Sequence, residues 1–298
     1  MKNTICPLLI LLTLLLSSCE DIINVKLSSE DLNLYGVEAS ITPHNGPTVF
    51  LYQTLQVNKD EAYPGISGAL VTISDNSIPA NQAILTEDPV NKGQYGVSGN
   101  ADYPGIPGRE YTLTIQVSGV TLIAKDQLSR VEPIDSIRVE PSLRGDKRFL
   151  GVFTYGKETP GLGNYYKWDV YVNDTLLYDA QRMAIASDEF VDGHYITKLE
   201  VYTDFYEKSK EAKDRKLKLN DTVYVNQTSI SEFAYNFYFQ VINQSSTGSL
   251  FSVPPANIRS NFTSSNGKPV LGLFVARDVS KSNMVIITKA LVDQLAPL

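Results

Sequence analysis

The chain has 298 residues, with 26 lysines and arginines against 33 aspartates and glutamates, so its formal net charge is −7. An acidic chain with no basic stripe lacks the cations that neutralise nucleic-acid phosphates, so we expect no nucleic-acid partner. The 17 tyrosines and 11 phenylalanines, against 3 methionines and 1 tryptophan, favour a mainly β protein, because such residues suit pleated, half-buried surfaces.

The first predicted element is a signal peptide over residues 1–18. Lys2 is followed by an apolar stretch over residues 6–16 and then by small residues, which is the order of a secretory signal. About eleven apolar residues are too few for a helix that crosses a bilayer, which needs roughly 20. We therefore expect an exported chain without a transmembrane anchor at this end.

The tetrad Leu16-Ser17-Ser18-Cys19 resembles the bacterial lipobox, in which the cysteine thiol is diacylated and the peptide is cut just before it. Several acyl chains give stable anchoring where a single chain is marginal. We predict lipidation of Cys19, for example with palmitate, followed by a tether over residues 19–33. The alternative is an ordinary signal peptide with an incidental cysteine. Apart from the covalent lipid on Cys19, we expect no cofactor.

Residues 34–131 are predicted to form an immunoglobulin-like antiparallel β-sandwich. Short segments rich in β-branched or aromatic residues alternate here with turn residues, at the density typical of such sandwiches. They cover residues 34–42, 48–55, 69–75, 82–87, 94–99, 109–117 and 120–126. Ser118-Gly119 is predicted as the turn of a hairpin between the last two segments.

Two loops of this unit each place a tyrosine before Pro-Gly, namely Tyr63 in AYPGISG and Tyr103 in DYPGIPG. Aromatic residues presented on turns are common contacts at interfaces. They also pack as lids on the ends of sandwiches. Tyr63 and Tyr103 are therefore candidate binding-loop residues, with the packing role as the alternative.

Residues 132–298 are predicted to form a second β-rich domain. Its predicted strands cover residues 134–140, 148–155, 165–172, 194–203, 221–228, 270–277 and 283–289. Asn173-Asp174 is predicted as a tight turn after the third of these strands. Pro254, Pro255 and Asn257 lie in a proline-stiffened loop that either docks on a partner or seals this domain.

The second domain is also predicted to carry one helix, over residues 229–244. Ser229 and Glu232 have the spacing of a capping box, which satisfies amides at a helix start. Apolar residues then recur at helical spacing and predict a face packed on the second sheet. That face consists of Ile230, Phe233, Ala234, Phe237 and Val241.

The sequence offers few groups for catalysis. His44 and His194 are the two histidines, and each lies in a turn-forming segment, so we predict exposed turn residues and no catalytic residues. Asp188, Glu189 and Asp192 lie close together in SDEFVDG, and oxygen-rich loops can hold calcium. These residues lack the ligand order of an EF-hand loop, so a solvated acidic loop is the favoured interpretation and no metal site is predicted.

Stretches along the whole exported chain resemble a family of Bacteroidota outer-membrane lipoproteins of unknown function, commonly encoded beside TonB-dependent receptors. The stretches are SCEDIINVKL (18–27), ISGALVTISD (66–75), GIPGREYTLTIQVSG (105–119), PIDSIRVEP (133–141), LFSVPPANIRSNF (250–262) and LGLFVARDVS (271–280). The resemblance implies a lipid-anchored accessory protein of the outer membrane, with a TonB-dependent receptor as partner. It implies no established reaction.

Two smaller motifs are also similar to Bacteroidota patterns. Glu20 and Asp21 look like the acidic residues that follow the lipidated cysteine in lipoproteins exported to the cell surface, so we expect the protein to face the cell exterior. Ser136, Thr175 and Thr222 each follow an aspartate and precede an apolar residue, as in the O-glycosylation acceptors of these bacteria. Such tripeptides also arise by chance at strand starts.

These observations predict a non-enzymatic accessory protein that assists a TonB-dependent receptor in ligand capture or uptake. Two other functions stay open. One is a surface hydrolase that processes a substrate for import, which requires converging carboxylates or a metal. The other is an adhesive or structural surface lipoprotein. The sequence does not identify the ligand.

Overall fold

Alternating apolar and polar residues form strands along most of the chain. The computed structural model describes residues 34–55, 62–97, 103–145, 147–206, 215–245 and 258–295. The predicted signal peptide and tether, with Cys19, Glu20 and Asp21, lie outside these residues. So does the predicted loop with Pro254, Pro255 and Asn257. The described residues belong to one compact unit, Asn33–Leu298.

The strands confirm the prediction of a mainly β protein. In chain order they are β1 (Tyr35–Thr42), β2 (Gly46–Gln53), β3 (Leu70–Asp75), β4 (Gln82–Glu87), β5 (Gln94–Gly96), β6 (Glu110–Val117), β7 (Val120–Gln127), β8 (Ile134–Arg144), β9 (Lys147–Lys157), β10 (Tyr165–Val172), β11 (Thr175–Leu176), β12 (Ala184–Ser187), β13 (Tyr195–Thr203), β14 (Thr222–Ile230), β15 (Phe262–Ser264), β16 (Leu271–Ala276), β17 (Val279–Lys281) and β18 (Val285–Ile286).

The first sandwich is a folded-over sheet of nine strands in the order β15-β7-β6-β3-β4-β5-β2-β1-β16. Its pairs are antiparallel except that β1 runs parallel to β16. Inward-facing residues such as Val37, Ile41, Leu51 and Leu113 form its core, each buried almost completely. The division into domains at residue 132 stays a prediction, but β15 and β16 come from beyond that boundary and complete this first sheet.

The second β unit consists of two facing sheets. One contains three strands in the order β13-β9-β8, and the other contains the path β11-β10-β14-β17, with β12 and β18 at its margins. Apolar side chains such as Ile137, Val152, Trp168 and Val223 fill the space between the sheets. A short helix α2 (Lys289–Asp293) adds Leu291 and Val292 to the margin of this core.

Both predicted two-residue turns are confirmed. Ser118 and Gly119 have φ values of 48° and 77°, and they connect the paired residues Val117 and Val120. Asn173 and Asp174 have φ values of 49° and 60° between β10 and β11. Asparagine, aspartate and glycine tolerate this left-handed region better than other residues, which is why they form two-residue hairpin turns.

The predicted helix exists, but its start is wrong by three residues. Helix α1 is Glu232–Ser245, because β14 continues as a strand through Ile230. The Ser231 hydroxyl, not Ser229, accepts a hydrogen bond from the Ala234 amide at 3.2 Å. Ser229 is 2% exposed, and its hydroxyl donates to the Ser129 carbonyl at 2.5 Å. Ser229 therefore connects β14 to the segment after β7 through this hydrogen bond and does not cap the helix.

The packed face of α1 is narrower than predicted. Ala234 is the buried residue of α1, whereas Phe233 is 41% exposed. Helix α1 contacts β10 and β12 of the six-stranded sheet, as predicted. It also packs on Leu273 and Val275 of β16, so it lies against both β units. Among the described residues, no helix combines the length and apolar character needed to cross a membrane.

Candidate functional site

The outer face of the first sandwich forms one wall of a large cleft. Because side chains alternate along a strand, Val37 and Ile41 of β1 enter the core while Glu38 and Ser40 point outwards. In the register of the sheet, Glu38 pairs with Phe50 on one side and with Leu273 on the other. The wall thus crosses β16, β1 and β2 in one continuous surface.

The opposite wall comes from the second β unit and from α1. Lys167, Asp169 and Tyr171 lie on the face of β10 that points away from the second core, and Tyr238 comes from α1. The cleft has a volume of about 1430 Å³. Pockets for drug-sized ligands measure roughly 300–1,000 Å³. The cleft can therefore hold a larger or elongated molecule.

Three aromatic rings form a row on the first wall. Phe50 stacks on Tyr52 with ring centroids 5.1 Å apart, and Tyr52 contacts Tyr63 at 4.9 Å. The Tyr52 ring lies over Gly36, where an added Cβ would lie 2.2 Å from the ring. Glycine at residue 36 is therefore required for this ring position. Aromatic faces in a cleft offer large apolar contact area to a ligand ring.

The end of the cleft beside Tyr238 of α1, which we call the inner end, carries charged groups from β10 and from the residue after β16. The Lys167 ammonium forms an ion pair with the Asp169 carboxylate and lies 5.6 Å from the Tyr238 ring centroid. Arg277 also lines the cleft. Its Nε atom is buried and has no hydrogen-bond acceptor within the part of the chain that the structure describes. Arg277 forms no ion pair with the described residues, so its positive charge on the cleft lining is not neutralised by an acidic partner there.

The tyrosines around Arg277 are held in their neutral form. Burial raises the pKa of Tyr238 to about 12, with the Arg277 charge acting in the opposite direction. Burial likewise raises the pKa of Tyr171, and Asp169 adds to that effect. On the first wall, burial and the nearby Glu38 carboxylate raise the pKa of Tyr52 to about 12. At neutral pH these hydroxyls keep their protons.

Acidic groups lie at the other end of the cleft, beside Tyr63. The Glu87 carboxylate accepts hydrogen bonds from the Gly68 and Gly93 amides, each at 3.0 Å, and these lower its pKa. Amide hydrogen bonds from the Asn91 and Val90 amides likewise lower the pKa of Asp88. Both side chains are therefore ionised at neutral pH. The cleft has negative charge at this end and the Arg277 charge at the other.

Tyr63 and Tyr103, which share a local sequence pattern, differ in burial. Tyr63 is 53% exposed and lines the cleft, and its role as a binding residue stays a prediction. Tyr103 is 4% exposed, and its hydroxyl donates to the Asn81 carbonyl at 3.0 Å. Its ring packs edge-on against Tyr111 in the first core. The expectation of an exposed Tyr103 is therefore wrong, because this tyrosine fills the interior of the sandwich.

Two of the three weak calcium candidates lie together with a carboxylate that the sequence did not single out. Asp188, Asp192 and Glu158 each place an oxygen within 4.8 Å of the others, whereas Glu189 is exposed. Backbone amides already bind these carboxylates: Gly163 to Asp188 at 3.1 Å, Gly161 to Asp192 at 2.6 Å, and Gly193 to Glu158 at 2.5 Å. The cluster joins two loops, and such bonding occurs without a metal.

The remaining predicted positions lie away from the cleft. His44 and His194 are exposed in turns, as predicted. Among the predicted glycosylation residues, Thr175 is exposed beside the Asn173-Asp174 turn. Ser136 and Thr222 are half-buried in β8 and β14, and the Thr222 hydroxyl donates to the Asn173 side-chain oxygen at 3.2 Å.

Sequence reasoning missed the polar groups of the cleft. Lys167 and Asp169 lie two residues apart in an otherwise apolar and aromatic strand, so they share one face of β10. That pattern is a detectable signal for a polar surface on a central strand. Arg277 follows β16 directly, but nothing local indicates that its side chain lies opposite α1.

Residues 20–283 match a family model described as a domain of unknown function, DUF4249. The matched range includes both walls of the cleft. No curated protein matches the chain.

Proposed function

We propose that this chain, which belongs to the DUF4249 family, a domain of unknown function, is a ligand-binding lipoprotein. The family description names no reaction. In this proposal, acyl chains on Cys19 anchor the protein in the outer membrane of a Bacteroidota cell, facing the exterior. It acts without catalysis and assists a TonB-dependent receptor in ligand capture or uptake.

The observation that carries this proposal is the cleft between the outer face of the first sandwich and the second β unit. It combines a row of aromatic rings with a few charged groups, as ligand-binding clefts commonly do. Tyr63 and Arg277, at its two ends, are 214 positions apart in the sequence, and each lies near a strand: Tyr63 precedes β3, and Arg277 follows β16. Rigid β elements thus position the groups that would contact a ligand.

The mechanism that we propose is confinement. A lipid anchor keeps the cleft at the membrane surface, where its effective concentration near a receptor is far higher than that of a freely diffusing binder. A ligand released from the cleft then meets the receptor before it diffuses away. The tether over residues 19–33 would set the reach of this transfer.

Replacement of Cys19 by serine tests the anchor. Serine has no thiol to be acylated, so we expect Cys19→Ser to be lost from the outer-membrane fraction almost completely and the acylated mass to disappear from mass spectra. Cys6→Ser is the matched control, since residue 6 lies in the predicted signal peptide and its replacement leaves anchoring intact. A wild-type protein with a free Cys19 thiol would contradict the proposal.

Copurification tests the receptor partner. Wild-type protein with an affinity tag, isolated from outer membranes with a mild detergent, is expected to bring a large β-barrel receptor with it at a fixed ratio. A lipoprotein of similar abundance, carrying the same tag, controls for barrels that are trapped in shared micelles. Isolation as a monomer without a barrel, under conditions that preserve other membrane complexes, would argue against this part of the proposal.

A further inference from the structure

We infer that the cleft binds an elongated ligand with a single carboxylate at one end and a ring-bearing body, with Arg277 holding the carboxylate and the row Phe50, Tyr52 and Tyr63 contacting the rings. This inference names the ligand class for the proposed binding function and rests on it.

The first step is the unpaired positive charge at the inner end. The lining charges there are those of Lys167, Asp169 and Arg277, and the first two neutralise each other in an ion pair. The further lining carboxylate, Glu38, pairs with Phe50 in the sheet and acts on Tyr52, so it belongs to the region of the aromatic row. One positive charge therefore remains, on Arg277. A carboxylate carries one negative charge and matches it, whereas a phosphate monoester carries nearly two.

The second step is the geometry of the guanidinium. Arg277 lines the cleft and forms no ion pair among the described residues, and the forked donors of arginine fit the two oxygens of a carboxylate. Tyr171 and Tyr238 are close enough to Arg277 for its charge to affect their pKa values. Both keep their hydroxyl protons at neutral pH, so neither adds negative charge to this end.

The third step is the distance between the two contact regions. Phe50 pairs with Glu38, Glu38 pairs with Leu273, and Arg277 lies four positions beyond Leu273 along the chain. With strands about 4.8 Å apart and a rise of about 3.3 Å per residue, the Cα atoms of Phe50 and Arg277 are roughly 16 Å apart. Only an elongated molecule can reach both regions at once.

The fourth step is orientation. Glu87 and Asp88 are ionised at the end of the cleft beside Tyr63. A carboxylate at that end would meet like charge, whereas at the inner end it meets Arg277. The charge distribution thus favours one direction of binding, with the ligand's carboxylate at Arg277 and its rings beside Tyr63.

The test uses 1-pyrenebutanoic acid and its uncharged analogue 1-pyrenebutanamide as probes. Each is titrated by pyrene fluorescence against the complete chain carrying Cys19→Ser, which keeps acyl chains and micelles out of the assay. We expect this protein, whose cleft residues are all wild-type, to bind the acid at least tenfold more tightly than the amide. In Arg277→Gln this preference should disappear, with amide affinity changed less than threefold.

Two further variants separate the roles of the two regions. Arg138→Gln is the matched control, because Arg138 is an exposed arginine on β8 outside the cleft lining, and it should keep the acid preference. Tyr63→Ala should weaken the acid and the amide by the same factor, since it removes a ring contact and no charge. Tyr63 is 53% exposed, so this variant is expected to fold.

The inference is overturned if wild-type protein binds both probes equally or binds neither. It is also overturned if Arg277→Gln keeps the acid preference. Should Arg277→Gln fail to fold, Arg277→Lys takes its place, and an undiminished acid preference there would count against the forked contact. A receptor that copurifies with a protein lacking any acid preference would leave the proposed function standing and remove only this ligand class.

Discussion

Replacement of Asp75 by alanine is expected to lower the free energy of unfolding by about 1.5–3 kcal/mol, the range typical of losing hydrogen bonds to a buried charged group. The Asp75 side chain is 1% exposed, and one of its oxygens lies 2.5 Å from the Arg109 guanidinium. The other oxygen accepts bonds from the Ser77 and Asn81 amides at 3.0 and 3.2 Å. Alanine removes the acceptor of the Arg109 guanidinium and of the Ser77 amide, while the Asn81 amide keeps only its 3.3 Å bond to the Ser77 hydroxyl.

The pH dependence of this effect has a definite sign. Burial by itself raises the pKa of Asp75, but the hydrogen bonds from Ser77, Arg109 and Asn81 outweigh it and lower the pKa to about 2. A carboxylate with a lowered pKa stabilises the fold above its unfolded pKa of about 3.9, and this stabilisation is lost as the pH falls towards 2. The free energy by which wild-type protein is more stable than Asp75→Asn should therefore shrink as the pH falls from about 3.9 towards 2.

Urea unfolding at pH 7 and at pH 3 measures both expectations. Glu110→Ala is the matched control, because Glu110 forms an ion pair with Lys125 in which both side chains are about half exposed. Exposed pairs of this kind contribute about 0–1 kcal/mol. Equal losses for Asp75→Ala and Glu110→Ala would show that burial does not set the strength of the Asp75 contacts.

Replacement of Asp126 by asparagine is expected to stabilise the protein at pH 7, by up to about 3 kcal/mol. Asp126 is 8% exposed, and burial raises its pKa to about 6. The carboxylate accepts a hydrogen bond from the Ala276 amide at 2.8 Å, where β7 lies beside β16. Asparagine keeps an acceptor for that amide and removes the cost of holding a charge there. The figure follows from the difference between pKa values of about 6 and 3.9.

The contribution of Asp126 to stability changes with pH in the opposite direction to that of Asp75. An acid whose pKa is raised by folding favours the fold when protonated, so its contribution is present below about pH 4 and is lost as the pH rises through 6. Wild-type protein and Asp126→Asn should then differ little in stability at pH 4 and most above pH 6. Thermal unfolding across this range measures the difference.

Asp126→Ala serves as the control for the hydrogen bond. It removes the charge but also leaves the Ala276 amide without its acceptor, so its gain at pH 7 should be smaller than that of asparagine. If Asp126→Asn is less stable than wild-type protein at pH 7, the charged carboxylate stabilises the fold. The expected cost of burying its charge would then be absent.

Much of the secondary structure could be predicted from local pattern alone. The strand predicted over residues 165–172 coincides with β10, and the turns at Ser118-Gly119 and Asn173-Asp174 adopt the backbone that their residues favour. These features depend on side-chain alternation and on backbone preferences within a few residues. The start of α1 was missed because Ser229 and Ser231 offer similar local capping groups, and only the pairing of β14 decides between them.

The candidate site is a product of long-range pairing. Residues 63–65 and 103–105 share the pattern Tyr-Pro-Gly, yet Tyr63 lines the cleft while Tyr103 lies in the core. Which loop faces which surface depends on strand order, and no local pattern encodes it. The same holds for the carboxylates, where Glu158 joins Asp188 and Asp192 across intervening strands while the adjacent Glu189 points to solvent.

By itself the sequence determined the mainly β class, most of the strands, their tight turns and the presence of one amphipathic helix, because these depend on residues close together in the chain. The tertiary structure alone decided that β16 would pair in parallel with β1 and that Arg277 would lie opposite Lys167 and Tyr238. The reason is physical: a strand's outer face becomes a cleft wall only when a distant segment covers part of it, and that depends on which apolar surfaces are buried together.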